Sequence, residues 1–189
     1  DKVTMSRIVL APLFFILYSY PILAPIPTLS LLWALFAVIE ISDFVDGKVA
    51  RSSNEVSDFG KLFDPFADVL ARLTYFACFA FSGIMPLWIF VIVIYREFSI
   101  NFLRMMLAFK GIAMGARPGG KQNAGRYMVY GMLALLQTSL ERLAIFSSFL
   151  PALKIVVFAA FCIAGLLSVI SFVDYLVQFK RLTSKTTNR

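Results

Sequence analysis

Three stretches of this chain run without a charged side chain: Ile8 to Ile39, Leu73 to Tyr95 and Ile155 to Val173. Each is long enough to carry an α-helix across a bilayer core, which takes about 20 apolar residues. Hydrophobic residues fill 60% of the 189 positions and charged residues only 15%, a balance too apolar for a soluble domain of this size. The chain is therefore expected to be an all-α integral membrane protein.

The first run is long enough for more than one span, and Pro21, Pro25 and Pro27 divide it into a hairpin. The pattern predicts six helices, over roughly 6–22, 28–50, 62–83, 86–109, 122–141 and 151–178, with the polar tail after Lys180 as a frayed end. Pro65 is expected in the first turn of its helix, where a missing N–H costs little. The first segment is not expected to be a signal peptide, because the rest is equally apolar and no small-residue cleavage site stands out. With no low-complexity stretch or repeat, residues 1–189 read as one membrane domain.

Charge sets the expected orientation. Lys2, Arg7, Lys48, Arg51, Lys61, Lys110, Arg117, Lys121, Arg126, Lys180, Arg181, Lys185 and Arg189 fall on one side of the six-helix arrangement, and only Arg142 and Lys154 clearly on the other. The excess of Lys and Arg on the cytoplasmic side of membrane proteins then places both termini at the cytoplasmic face of a multi-pass protein of the inner membrane. The net charge of +7 is spread over membrane-proximal loops, which suits anionic lipid and phosphate ligands and not nucleic acid. Cys78 and Cys162 fall in predicted helices without metal-ligand spacing and read as inert buried thiols. The chain has no histidine, so any general base is a carboxylate, lysine or tyrosine.

Four carboxylates stand at the same boundary, in Asp43-x2-Asp46-Gly47-x2-Ala50-Arg51-x8-Gly60-x3-Asp64-x3-Asp68. An aspartate near hydrocarbon is costly unless paired, hydrated or coordinated. Asp43 and Asp46 share one helical face, as do Asp64 and Asp68 on the next helix. If the faces meet they form an acidic cup opening on the cytoplasm. Oxygen-only ligands select hard divalent ions, Mg²⁺ or Mn²⁺, and four shared carboxylates suit two ions clamping a phosphoryl group. Phosphoryl transfer is the chemistry this suggests.

The segment from Ser42 to Asp68 resembles the CDP-alcohol phosphotransferase family at every fixed position of its motif. That resemblance implies a six-helix membrane enzyme, commonly a homodimer, in which an alcohol displaces CMP from a CDP-linked donor. It implies Asp43, Asp46 and Asp64 as metal ligands, and Asp68 as both a residue near the metals and the base for the acceptor hydroxyl. Gly47 and Ala50 would leave room for cytidine and diphosphate, Arg51 would neutralise phosphate, and Gly60 would let the nucleotide approach the backbone. Outside the motif, Thr4-x2-Arg7-x4-Pro12, Arg96-Glu97, Leu103-Arg104, Gly120-Lys121 and Asp174-Tyr175 resemble the branch that joins CDP-diacylglycerol to sn-glycerol 3-phosphate. Val69 stands where that branch carries Lys, and Gln122-Asn123-Ala124 where it carries a further Lys and Thr. Inositol phosphate, inositol, serine and choline stay open as alternative acceptors.

A phosphorylated acceptor suits Arg96, Arg104, Lys110, Arg117 and Lys121, which cluster on the cytoplasmic half of the fourth helix and the loop after it. Glu97, Asn101 and Arg104 form one polar stripe expected to face the interior. Against this, Arg96 and Arg104 have a purely structural reading as ion-pair partners of Glu97. Arg72, one turn after Asp68, is expected to hold that carboxylate or to reach substrate phosphate, and Glu40, one turn before Asp43, to support the cluster. A divalent-cation transporter would use the same carboxylates, but it leaves Gly47, Ala50, Arg51 and Gly60 without a role.

Overall fold

The computed structural model describes residues 2–20, 22–49, 58–109, 111 and 118–187, and within these the side chains other than those of 2–4, 43–49, 58–62, 64, 118–124 and 185–187. They form six α-helices: α1 (Lys2–Ser19), α2 (Pro25–Val49), α3 (Asp58–Phe81), α4 (Leu87–Phe109), α5 (Pro118–Leu143) and α6 (Leu150–Thr187). No strand occurs among the described residues.

Local chemistry sets the boundaries. α1 stops at Ser19, just short of Pro21, and α2 opens on Pro25, a position where the missing N–H would have had no helical acceptor anyway. The uncharged run from Leu73 to Tyr95 is divided between α3 and α4 at Gly83, whose φ is +76°. The Gly83 N–H donates to the Ala80 carbonyl (3.1 Å) and the Ile84 N–H to that of Phe79 (3.0 Å), the bond pair that closes a helix on a left-handed residue.

Two expectations need correcting. α3 begins at Asp58, so Pro65 lies inside the helix rather than in its first turn, and it cannot donate the helical bond toward residue 61. α6 continues to Thr187 instead of fraying after Lys180, and neither Gly nor Pro stands between Lys180 and Thr187 to break it.

α1 packs against α2 and α3, α4 against α3 and α6, and α5 against α2, α3 and α6. Where they meet the core is aromatic: Phe36 lies edge-on to Tyr75 at 5.3 Å, and Phe76 to Tyr127 and Phe161 at 5.5 and 5.8 Å. Such edge-to-face pairs add about 0.5–1.5 kcal/mol each beyond area burial. α5 approaches this cluster at Gly131, where an added Cβ would stand 2.8 Å from Phe36 Cε2 and 3.3 Å from Tyr75 Cε2. Gly131→Ala is expected to destabilise the bundle by about 1–3 kcal/mol through overpacking, outweighing the ~1 kcal/mol gained in helix propensity. Thermal unfolding in detergent reads this; a rise in midpoint would show that the rings move aside freely.

The outer surface is apolar as well. Phe81, Leu87, Trp88, Phe102, Phe158 and Leu166 are among many large exposed hydrophobic side chains, far beyond the patches a water-soluble monomer exposes. Lipid is the solvent that suits such a surface. By length and composition alone, two helices can cross a membrane, α2 over Pro25–Ser42 and α6 over Leu150–Ser184, with a shorter apolar helix over Met5–Ser19. α3 and α4 carry Arg72, Arg96 and Glu97 instead, and all three are buried. These three charges are turned into the bundle, as ionisable groups beside hydrocarbon usually are. Cys78 is fully buried, whereas Cys162 is only half-buried; both are free thiols.

Candidate active site

Asp68 projects from α3 toward the bundle interior, half-buried, and forms an ion pair with Arg7 of α1 through its Oδ1 atom. Arg7 is 1% exposed, and a guanidinium so deeply placed needs a carboxylate, since burying an unpaired charge is costly. One turn further along α3, Arg72 lies over the Tyr127 ring, 5.6 Å from its centroid. On α2, buried Glu40 accepts a hydrogen bond from the Tyr75 hydroxyl at 2.9 Å. Its carboxylate thereby ties α2 to α3 one turn before Asp43.

Across from Asp68, α4 presents the polar stripe expected from its sequence. Arg96 pairs with Glu97 and donates through Nη2 to Ser171 Oγ of α6 at 3.0 Å. Arg104 donates through Nη2 to the Tyr175 hydroxyl at 2.7 Å, with its guanidinium 5.3 Å from that ring's centroid. Tyr127 and Ser168 share a hydrogen bond of 2.6 Å. The structural alternative thus holds for Arg96 as a partner of Glu97, while the recorded partner of Arg104 is Tyr175.

These groups enclose a polar cavity of about 110 Å³. Asp68, Val69 and Arg72 form one wall, Arg96, Glu97, Asn101 and Arg104 the other, and Tyr127 closes it. Three buried donors at its edge, Arg96 Nε, Asn101 Nδ2 and Arg104 Nε, have no acceptor among the described residues. Unfilled donors beside guanidinium groups suit a ligand rich in anionic oxygens. Val69, 6% exposed, puts apolar surface where a lysine would have added a cation.

The remaining motif residues are placed by backbone only. Asp43, Asp46 and Gly47 stand in the closing turns of α2, Gly60 and Asp64 in the first turns of α3, and Lys121 in the first turn of α5. The side chains of Asp43, Asp46, Asp64 and Lys121, and all of Ala50, Arg51, Lys110 and Arg117, lie outside the described residues. So does the acidic cup expected from their spacing.

Sequence reasoning missed two contributions. Arg7 was read as part of a motif and as a boundary cation, not as the partner of Asp68; an arginine that early in an apolar helix is the signal for a buried pair. The α6 stripe was also overlooked, although Ser168-x2-Ser171-x3-Tyr175 repeats at helical spacing on an apolar helix.

The family model described as CDP-alcohol phosphatidyltransferase matches residues 1–170. The CDP-diacylglycerol–glycerol-3-phosphate 3-phosphatidyltransferase of Treponema pallidum (strain Nichols) is 34% identical over 156 residues, covering 82% of this chain and 72% of the relative. The protein of the same name from Bacillus subtilis (strain 168) is 35% identical over 134 residues, 64% of this chain and 67% of the relative. The cardiolipin synthase (CMP-forming) of Streptomyces coelicolor (strain ATCC BAA-471 / A3(2) / M145) is 38% identical over 82 residues, 42% of this chain and 35% of the relative. By the extent of the family match and of these identities, the chain belongs to the CDP-alcohol phosphatidyltransferase family.

Proposed function

We propose that this protein transfers a phosphatidyl group from CDP-diacylglycerol to sn-glycerol 3-phosphate, giving phosphatidylglycerophosphate and CMP in phospholipid biosynthesis. The observation that carries this reading is the cavity in which the Asp68 carboxylate faces Arg72, Arg96, Asn101 and Arg104. A carboxylate beside guanidinium groups and unfilled donors suits a proton acceptor next to a phosphorylated alcohol. The relatives named for glycerol 3-phosphate transfer support the same acceptor.

In this reading Arg7 holds Oδ1 of Asp68 and leaves the other carboxylate oxygen for the acceptor's 1-hydroxyl. Asp68 takes the hydroxyl proton as that oxygen attacks the β-phosphorus of the donor; the new P–O bond forms while the bond to CMP breaks. Arg51 neutralises the leaving phosphate, and Gly47, Ala50 and Gly60 give the nucleotide room. Arg96 and Arg104, with Lys110, Arg117 and Lys121 beyond the cavity, attract and orient the acceptor phosphate. Asp43, Asp46, Asp64 and Asp68 offer only carboxylate oxygens, a donor set that fits two Mg²⁺ or Mn²⁺ ions. When bound, such ions neutralise the donor diphosphate.

The same reading has six membrane-spanning helices in a single domain over residues 1–189, with the site and both termini at the cytoplasmic face of the inner membrane, and a homodimeric assembly. Diacylglycerol chains enter laterally from lipid, and glycerol 3-phosphate from the cytoplasm. A different acceptor on the same machinery is the second reading, favoured by apolar Val69 in the cavity wall.

The test is CMP release and lipid product from purified protein with CDP-diacylglycerol, Mg²⁺ or Mn²⁺, and one acceptor at a time: glycerol 3-phosphate, inositol phosphate, inositol, serine or choline. Product with glycerol 3-phosphate alone is expected; product only with another acceptor moves the assignment to that alcohol. Arg104→Ala is expected to raise the apparent KM for glycerol 3-phosphate by about 10- to 100-fold, the worth of a charged hydrogen bond, while that for the donor stays within about twofold. An unchanged acceptor KM would leave Arg104 as a strut between α4 and α6.

A further inference from the structure

A cavity of about 550 Å³ lies away from the Asp68 site. It lies where the C-terminal ends of α1, α3 and α5 meet the start of α2, beside Tyr18, Thr28, Ser82 and Arg142. Tyr18 is eleven positions beyond Arg7 on α1, about 16 Å along the axis at 1.5 Å per residue. Nothing in the phosphatidyl-transfer chemistry uses this end of the bundle.

Its chemistry is that of an anion site. The Arg142 guanidinium stacks 4.6 Å from the Tyr18 ring centroid and donates through Nη2 to the Tyr18 carbonyl at 2.7 Å. Those contacts hold it in place without neutralising it. Its Nη1 atom is buried and has no acceptor among the described residues. The neighbouring carboxylate, Glu141, is engaged elsewhere, by Lys154 at 3.0 Å and by the Gln137 amide at 3.1 Å. The Tyr18 hydroxyl is fixed in turn by Ser82 at 2.8 Å and Thr138 at 3.1 Å, so the stacking platform is rigid. Leu23, Pro25 and Phe81 add apolar surface to a lining that also carries Ser19, Thr28 and Ser82.

We propose that the cavity around Arg142 binds a phosphate-bearing anion, at the end of the bundle opposite Asp68. A fixed guanidinium with an open donor, set in a partly apolar pocket within the ~300–1,000 Å³ range of small-ligand sites, suits a phosphate carried on an amphiphile. A phospholipid headgroup and free phosphate share that chemistry. This inference does not depend on the acceptor assigned to the Asp68 site.

The test uses the full chain in maltoside micelles, following thermal unfolding as dioleoylphosphatidylglycerol, phosphate-free dioleoylglycerol or inorganic phosphate is titrated. The wild type is expected to gain stability with the phospholipid and not with dioleoylglycerol. Arg142→Gln is expected to need at least about tenfold more phospholipid for half the effect, the loss of one charged hydrogen bond. Leu23→Trp, which adds bulk to the cavity lining away from the Arg142 contacts, is expected to weaken the response likewise and reads the site if Arg142→Gln does not fold. Lys180→Gln, the same charge change on α6 but away from this cavity, is expected to respond as wild type. A response to phospholipid alone identifies the bilayer as the source, and an equal Arg142-dependent response to inorganic phosphate identifies the aqueous phase. No response to either, or responses from Arg142→Gln and Leu23→Trp equal to wild type, would overturn the proposal.

Discussion

Asp68→Asn is expected to lower phosphatidyl transfer by about 10²- to 10⁴-fold, the usual contribution of a positioned general base, while leaving CDP-diacylglycerol binding measurable. The same change removes the charge of Asp68 from its ion pair with Arg7. Because Arg7 is 1% exposed, breaking that buried pair is expected to cost up to about 3–5 kcal/mol of stability. The two effects separate in Arg7→Met/Asp68→Asn. Removing both charges restores much of the unfolding midpoint, whereas turnover stays lost because no base has been returned. CMP release and thermal unfolding measured on the same preparations decide the matter. An Asp68→Asn protein with full activity would remove Asp68 from the chemistry and leave it as the partner of a structural arginine.

The second large effect is at the α4–α6 seam. Arg96→Met leaves Glu97, 5% exposed, without its cation, and takes a donor from Ser171. A loss of about 3–5 kcal/mol is expected, whereas Arg96→Met/Glu97→Leu should recover most of it, because apolar replacement of a whole buried pair is often neutral or better. The double variant then reports on function without the burden of an orphaned charge. If Arg96 orients acceptor phosphate, this folded protein shows a raised acceptor KM and an unchanged donor KM. A wild-type acceptor KM in a stable double variant would confine Arg96 to holding α4 against α6.

The helical architecture was legible in the sequence because membrane helices are written in long apolar runs and proline punctuation. Pro21, Pro25 and Pro27 marked the first break, and Glu97, Asn101 and Arg104 the inward face of α4 by spacing alone. The aspartate motif pointed to the chemistry for a similar reason, since clustered carboxylates beside hydrocarbon demand a use. Pairings between distant helices were harder to read. Which carboxylate Arg7 meets depends on how α1 lies against α3, and no local spacing encodes that. The Arg104–Tyr175 and Arg96–Ser171 bonds depend in the same way on the approach of α6 to α4. α6 betrayed its length less clearly than its hydropathy, because its last turns are polar and helical at once.

The pairing of Arg7 with Asp68 also orders events during biosynthesis. Arg7 leaves the ribosome first, and 61 residues (68 − 7) must follow before its carboxylate exists. At about 5–20 residues per second, that interval is roughly 3–12 s. During it the arginine is best accommodated at the aqueous edge of the bilayer by water and lipid phosphate. The ion pair closes only when α3 arrives, so completion of the surroundings of Asp68 and final seating of the first helix become a single step.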